Sequence, residues 1–150
     1  MGALHTKLND DLKTAMKAGR KDEVGTLRMA ISDCKYKRIE KNVEDLSDQD
    51  VIEVLSAMKK KRAEAAEAYE KAARADLAAK ERDEMAVIER YLPAQLSEAE
   101  ITALIEKAIQ STGASSPKDM GKVMGALMPH TKGRADGGLV SSLVKKKLGG

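Results

Sequence analysis

The chain has 150 residues, enough for one or two small domains, with 42% hydrophobic residues to build a core and 34% charged residues to keep its surface wetted. With no Phe or Trp and only three Tyr, the core must be made of Leu, Ile, Val, Met and Ala, and stacking of splayed nucleic-acid bases is not expected. The net charge of +3 is unevenly spread: residues 118–150 carry seven Lys or Arg against two Asp, a local +5, whereas the residues before them hold 20 basic against 22 acidic.

In chain order, Leu4, Leu8, Leu12 and Met16 recur every four residues and predict a first amphipathic helix that stops near Gly19. A second runs from about Asp22 to Lys41, its stripe being Val24, Leu27, Ile31 and Cys34. Cys34 therefore reads as a small core residue, and one cysteine cannot make an internal disulfide, which suits a reducing compartment. Ser47 with Asp50 opens a third helix, whose Val51, Leu55, Met58, Arg62, Ala65, Tyr69 and Ala72 keep one stripe for about 26 residues. Lys59 to Arg62 are four cations in a row, which a helix spreads round most of a circle.

After a short break Asp76 is placed to cap a fourth helix, with Leu77, Met85, Ile88 and Leu92 folding back on the third as a hairpin. Pro93 closes that unit. Ser97 and Glu100 form a capping box for a fifth helix, with Ile101, Leu104, Ile105, Ala108 and Ile109 on its apolar face and Gly113 at its end. No alternating strand pattern occurs, so the expected class is all-α. The expected division is an N-terminal helical domain with a long hairpin at 1–93 and a three-helix domain at 94–150.

Ser116, Pro117 and Asp119 start the sixth helix, whose Met120, Val123, Met124, Leu127 and Met128 make one stripe before Pro129 and Gly133 end it. On its other side Gly121 and Gly125 lie one turn apart beside Lys118 and Lys122, also one turn apart, so bare backbone runs next to two ammonium groups. Glycines so placed either admit a ligand or let a neighbouring helix pack tightly. Asp136 is the natural cap of a last helix with Leu139, Val140, Leu143, Val144 and Leu148 on one face and Lys145, Lys146 and Lys147 in its final turn. Those lysines suit the negative end of the helix dipole and equally suit an anion. Lys132 and Arg134, in the connection, complete the set of candidate phosphate contacts.

The segments D-M-G-K-V-M-G-A-L-M-P (Asp119 to Pro129), G-R-A-D-G (Gly133 to Gly137) and L-V-x-x-L-V-K (Leu139 to Lys145) resemble the signature of the YqeY family. Upstream, T-L-R (Thr26 to Arg28), R-A-D-L (Arg74 to Leu77), Lys80 with Glu81, and Y-L-P-A-Q-L-S (Tyr91 to Ser97) resemble it too, so nearly the whole chain is covered. The family is similar to the tail domain of the B subunit of the tRNA-dependent amidotransferase, and a related module is appended to some glutaminyl-tRNA synthetases. The resemblance thus implies a two-part helical protein in a tRNA setting, with an aminoacyl-tRNA synthetase or an amidotransferase as partner. It also brings in a carbon–nitrogen ligase activity with glutamine as amide donor; the likeness, however, is to that enzyme's tail, and its kinase-like catalytic region has no counterpart in this sequence.

From the residues themselves, no nucleophile with a base partner, phosphate-cradling loop or paired acid in an apolar setting stands out, and His5 and His130 have no partner at metal-ligand spacing. No catalytic residue, cofactor or metal is therefore expected. With no apolar run near ~20 residues and no signal-peptide pattern, membrane insertion and secretion are not expected, and the cytoplasm is the default. The expected function is a non-catalytic tRNA-binding accessory protein. Its contacts would be Lys118, Gly121, Lys122, Gly125, Lys132, Arg134, Lys145, Lys146 and Lys147 on the sugar-phosphate backbone. The alternatives are a component of glutamine-dependent tRNA amidotransfer, as the resemblance implies, and a module that docks a protein helix on the same glycine strip.

Overall fold

The computed structural model describes residues 2–149. Among them are seven α-helices and no strand: α1 (Ala3–Lys17), α2 (Lys21–Lys41), α3 (Asp48–Lys71), α4 (Ala75–Glu89), α5 (Glu98–Thr112), α6 (Met120–Thr131) and α7 (Gly137–Lys147). The chain clusters into two compact units, one up to Leu92 and one from Pro93.

In the N-terminal unit α1 packs along α2, and α3 and α4 form a hairpin that α2 also touches. Leu8, Leu27, Cys34, Leu46, Val51, Leu55 and Ile88 are almost fully buried at its centre. Arg62 belongs to this interior at 6% exposure, its Nε donating to Glu84 Oε2 of α4 at 3.0 Å and its Nη1 to the Met58 carbonyl at 3.4 Å. The α2–α3 corner is set by local chemistry. Asn42 takes the left-handed conformation (φ 52°) and the Val43 N–H returns to the Arg38 carbonyl. Ser47 and Asp50 then make the capping box, and Asp50 also accepts from Lys41, which holds its carboxyl below the ordinary range. Tyr91 ties the end of α4 to α1: its hydroxyl donates to Asp11 Oδ2 at 2.6 Å, and Lys7 stands 5.1 Å from its ring centroid. Cys34 is buried and desolvation pushes its thiol up to about 11, so it is a core residue with little thiolate character.

Three expectations fail in this unit, the first being Ala72, which is exposed just past the end of α3 and not on its stripe. Met16 is exposed, because a strict four-residue step turns the stripe by roughly 40° each time, and Ala15 takes the buried place instead. Asp76 does not occupy the cap of α4. Arg74 does, without a side-chain bond, and Asp76 sits in the first turn with its carboxylate taking Arg74 Nε at 3.3 Å.

In the C-terminal unit Ile101, Ile105, Val123, Leu127, Val140 and Val144 meet at the centre of α5, α6 and α7. Ser97 and Glu100 cap α5, and Gly113 ends it at φ 68°. The incoming segment is fastened to the α6–α7 loop: Leu96 N–H donates to the Arg134 carbonyl at 2.8 Å, Gln95 Nε2 to the Gly133 carbonyl at 3.0 Å, and Arg134 Nε to the Ala94 carbonyl at 3.2 Å. A short 3-10 turn, Pro117–Asp119, leads into α6, its Asp119 N–H donating to the Ser116 carbonyl at 2.9 Å. That helix runs through Pro129 to Thr131. A proline this close to the end removes only one backbone bond, to the carbonyl of Gly125, and Lys132 N–H still reaches the Met128 carbonyl at 3.1 Å. Met128 and Leu139, expected inside, are exposed because each lies outside the half-turn that faces the core.

Candidate nucleic-acid interface

With Val123 and Leu127 of α6 turned into the core, a step of roughly 100° per residue places Gly121, Gly125 and Met128 on the opposite side of the helix, with Lys122 along one edge and Lys118 in the 3-10 turn that leads into it. Both glycines and both lysines are exposed. A Cβ built on Gly121 or Gly125 would meet nothing within 4 Å, so neither glycine is there to admit a neighbouring helix of the C-terminal unit. Bare main chain faces open space. Pro129 adds to this, since it has no N–H to give the Gly125 carbonyl.

The electrostatics of the helix entry are settled within the chain. Asp119 accepts from the Ser115 and Ser116 N–H groups at 3.0 and 3.3 Å, and these bonds, with Lys122 nearby, hold its carboxyl below the usual range. At α7 the Asp136 carboxylate takes the Leu139 N–H at 3.1 Å, so that helix start is closed to an anion.

The other expected contacts are less uniform. Arg134 is half-buried and spends one N–H on the Ala94 carbonyl, so it serves the loop as well as any ligand. Lys132 is exposed just past α6. Lys145, Lys146 and Lys147 are exposed but fan through roughly 200° of α7, and Lys147 turns to Glu106 of α5 at 2.8 Å. The structure therefore sets Lys122 beside the glycine strip and Lys118 in the turn just before it, and does not gather the three C-terminal lysines on one face.

Sequence reasoning missed a cleft of about 990 Å³ in the N-terminal unit, where Thr26 meets Asp76 and Lys80 across α2 and α4. These residues come from three of the resemblance segments, about 50 positions apart in sequence, and only the hairpin topology joins them. Its charges are largely matched: Glu23 holds Arg20 at 3.2 Å and Arg90 at 2.8 Å. No group of three His, Cys, Asp or Glu that could hold a metal ion occurs among the described residues, and no described helix is long and apolar enough to cross a membrane.

The family model for Yqey-like proteins matches residues 5–148. The chain belongs to the YqeY family. It is also similar to the uncharacterized protein C22F3.15 of Schizosaccharomyces pombe, 35% identical over 95 residues that make up 63% of this chain and 76% of that protein. Family membership links this YqeY chain to the tail domain of the amidotransferase B subunit. Both fold-bearing stretches named above, the capped start of α6 and the clasp between Leu96 and Arg134, lie inside the matched region.

Proposed function

We propose that this YqeY protein is a non-catalytic accessory factor that binds tRNA in the course of aminoacylation or amidation, in the cytoplasm, with a synthetase or amidotransferase as its protein partner. One observation carries the reading: the open strip of Gly121 and Gly125 beside the exposed Lys118 and Lys122. Lysines on the edge suit phosphates, bare backbone suits close approach of a ribose, and the Gly125 carbonyl is an acceptor for a 2′-hydroxyl donor. Lys132, Arg134 and the α7 lysines extend the positive field around this strip.

Filter binding of tRNA across a salt series tests it. Lys118→Ala and Lys122→Ala should each weaken binding and lower the slope of log affinity against log salt by about 0.9, one phosphate contact's worth. An unchanged affinity with an unchanged slope refutes the reading. The enzymatic alternative, a carbon–nitrogen ligase with glutamine as amide donor, is tested by incubation with ATP, glutamine and misacylated tRNA, where no amide product is expected from this chain alone. Met128 supports a second reading, because a 47% exposed thioether on the same side of α6 suits a protein helix better than a phosphate. A captured protein that resists nuclease and high salt would favour that reading.

A further inference from the structure

Helix α2 is apolar on two sides. Leu27 and Cys34 turn into the core with Val24 and Ile31 packed beside them, while on the opposite side Met29, Tyr36 and Ile39 are 50%, 70% and 61% exposed. The outward residues Met29, Ser32, Tyr36 and Ile39 follow a three-four-three spacing, the a, d, a, d positions of a heptad seam.

The residues beside this seam are sorted by sign. Arg28 and Lys35 fill the two g positions and Asp33 and Glu40 the two e positions, and all four are exposed. Two parallel copies of such a helix set each g beside the e five residues later on its mate, giving Arg28 with Asp33 and Lys35 with Glu40 on both edges. An antiparallel pair would set base against base and acid against acid. We propose that α2 pairs with α2 of a second copy of this chain, in parallel and about a two-fold axis, with Met29, Ser32, Tyr36 and Ile39 in the seam.

Two further features fit this occupant. The core face of α2 lies opposite the seam, so most of the N-terminal unit is carried away from the axis, while α3 flanks the seam, its Arg62 Nη2 donating to Met29 Sδ at 3.4 Å. Along the acidic edge, a cleft of about 340 Å³ between α2 and α3 is lined by Asp33, Glu40 and Glu53 together with Lys37 and Lys61, and although Lys37 stands 3.6 Å from Glu40, its three carboxylates outnumber its two lysines and leave room for a basic side chain of the other copy. With only two heptads the contact stays below the ~1,200 Å² of a standard interface, so the dimer is a transient one.

Sedimentation velocity of the full chain, from low micromolar to near-millimolar concentration, should show a monomer–dimer equilibrium that weakens as salt rises. The double variant Arg28→Glu, Lys35→Glu should weaken dimerisation by about tenfold or more with its helical circular dichroism unchanged, since each attractive edge pair becomes a repulsive one. Adding Asp33→Lys and Glu40→Lys restores it by exchanging the edges. In parallel pairing residue 32 faces its own mate, so Ser32→Cys should give a disulfide-linked dimer on mild oxidation, in a Cys34→Ala background. A chain that is monomeric throughout, or that associates regardless of the charge reversal, overturns the proposal; association without the S32C cross-link overturns its parallel orientation.

Discussion

Replacing both Gly121 and Gly125 by Ala should make the C-terminal unit more stable and its tRNA affinity weaker. Neither glycine has a positive φ, and a Cβ at either meets nothing within 4 Å, so alanine enters α6 without strain or collision. Helix propensity then favours the variant by about 1 kcal/mol per site, near 2 kcal/mol for the pair. For a unit of about 60 residues melting by itself, ~4–8 °C per kcal/mol gives a rise in Tm of roughly 8–16 °C. The same two methyl groups push an opposing backbone outward by about 1.5 Å, which breaks a hydrogen bond of ~3 Å and should cost about tenfold in affinity. Calorimetry and filter binding on the same preparation read both effects. An unchanged or lower Tm would show the strip to be packed rather than open, and a higher Tm with undiminished affinity would show that tRNA does not approach it.

Three further outcomes follow from the N-terminal unit. Glu84→Ala leaves the Arg62 guanidinium buried without its carboxylate; with Glu84 itself 22% exposed, the loss should be on the order of 2–3 kcal/mol, below the ~3–5 of a fully enclosed pair, and Arg62→Met in the same chain should recover most of it in urea unfolding. Asp11 is held below its ordinary value of 3.8 by Lys7 and then by Tyr91, so it adds stability at neutral pH that is lost as pH falls below 3.8 through its lowered value; Asp11→Asn should flatten that acid limb of the urea midpoint. Ala73, in the left-handed region at φ 58° after α3, should gain about 1 kcal/mol on replacement by Gly, read in the same unfolding assay.

Much of the fold was legible because capping chemistry is local: Ser47 with Asp50, Ser97 with Glu100 and Asp136 before α7 all act within a few residues. Pro129 misled because the cost of a proline depends on how much helix remains beyond it, and only two residues of α6 do. The glycine strip was legible as a spacing, yet whether a neighbour covered it is a tertiary fact that the spacing leaves open. Arg134 has the sequence context of an anion contact, and its bond to Ala94 depends on a partner 40 positions away. The second apolar side of α2 escaped notice for a related reason: once Val24, Leu27, Ile31 and Cys34 supply a sufficient core stripe, Met29, Tyr36 and Ile39 read as scatter until their shared exposure is seen.

The three hydrogen bonds that join Ala94, Gln95 and Leu96 to Gly133 and Arg134 have a practical corollary for protein engineering. A transplantable cassette must begin upstream of Ala94, so that the graft carries both halves of its own clasp; one cut at Glu98 would keep every helix and still release the loop that orients α7.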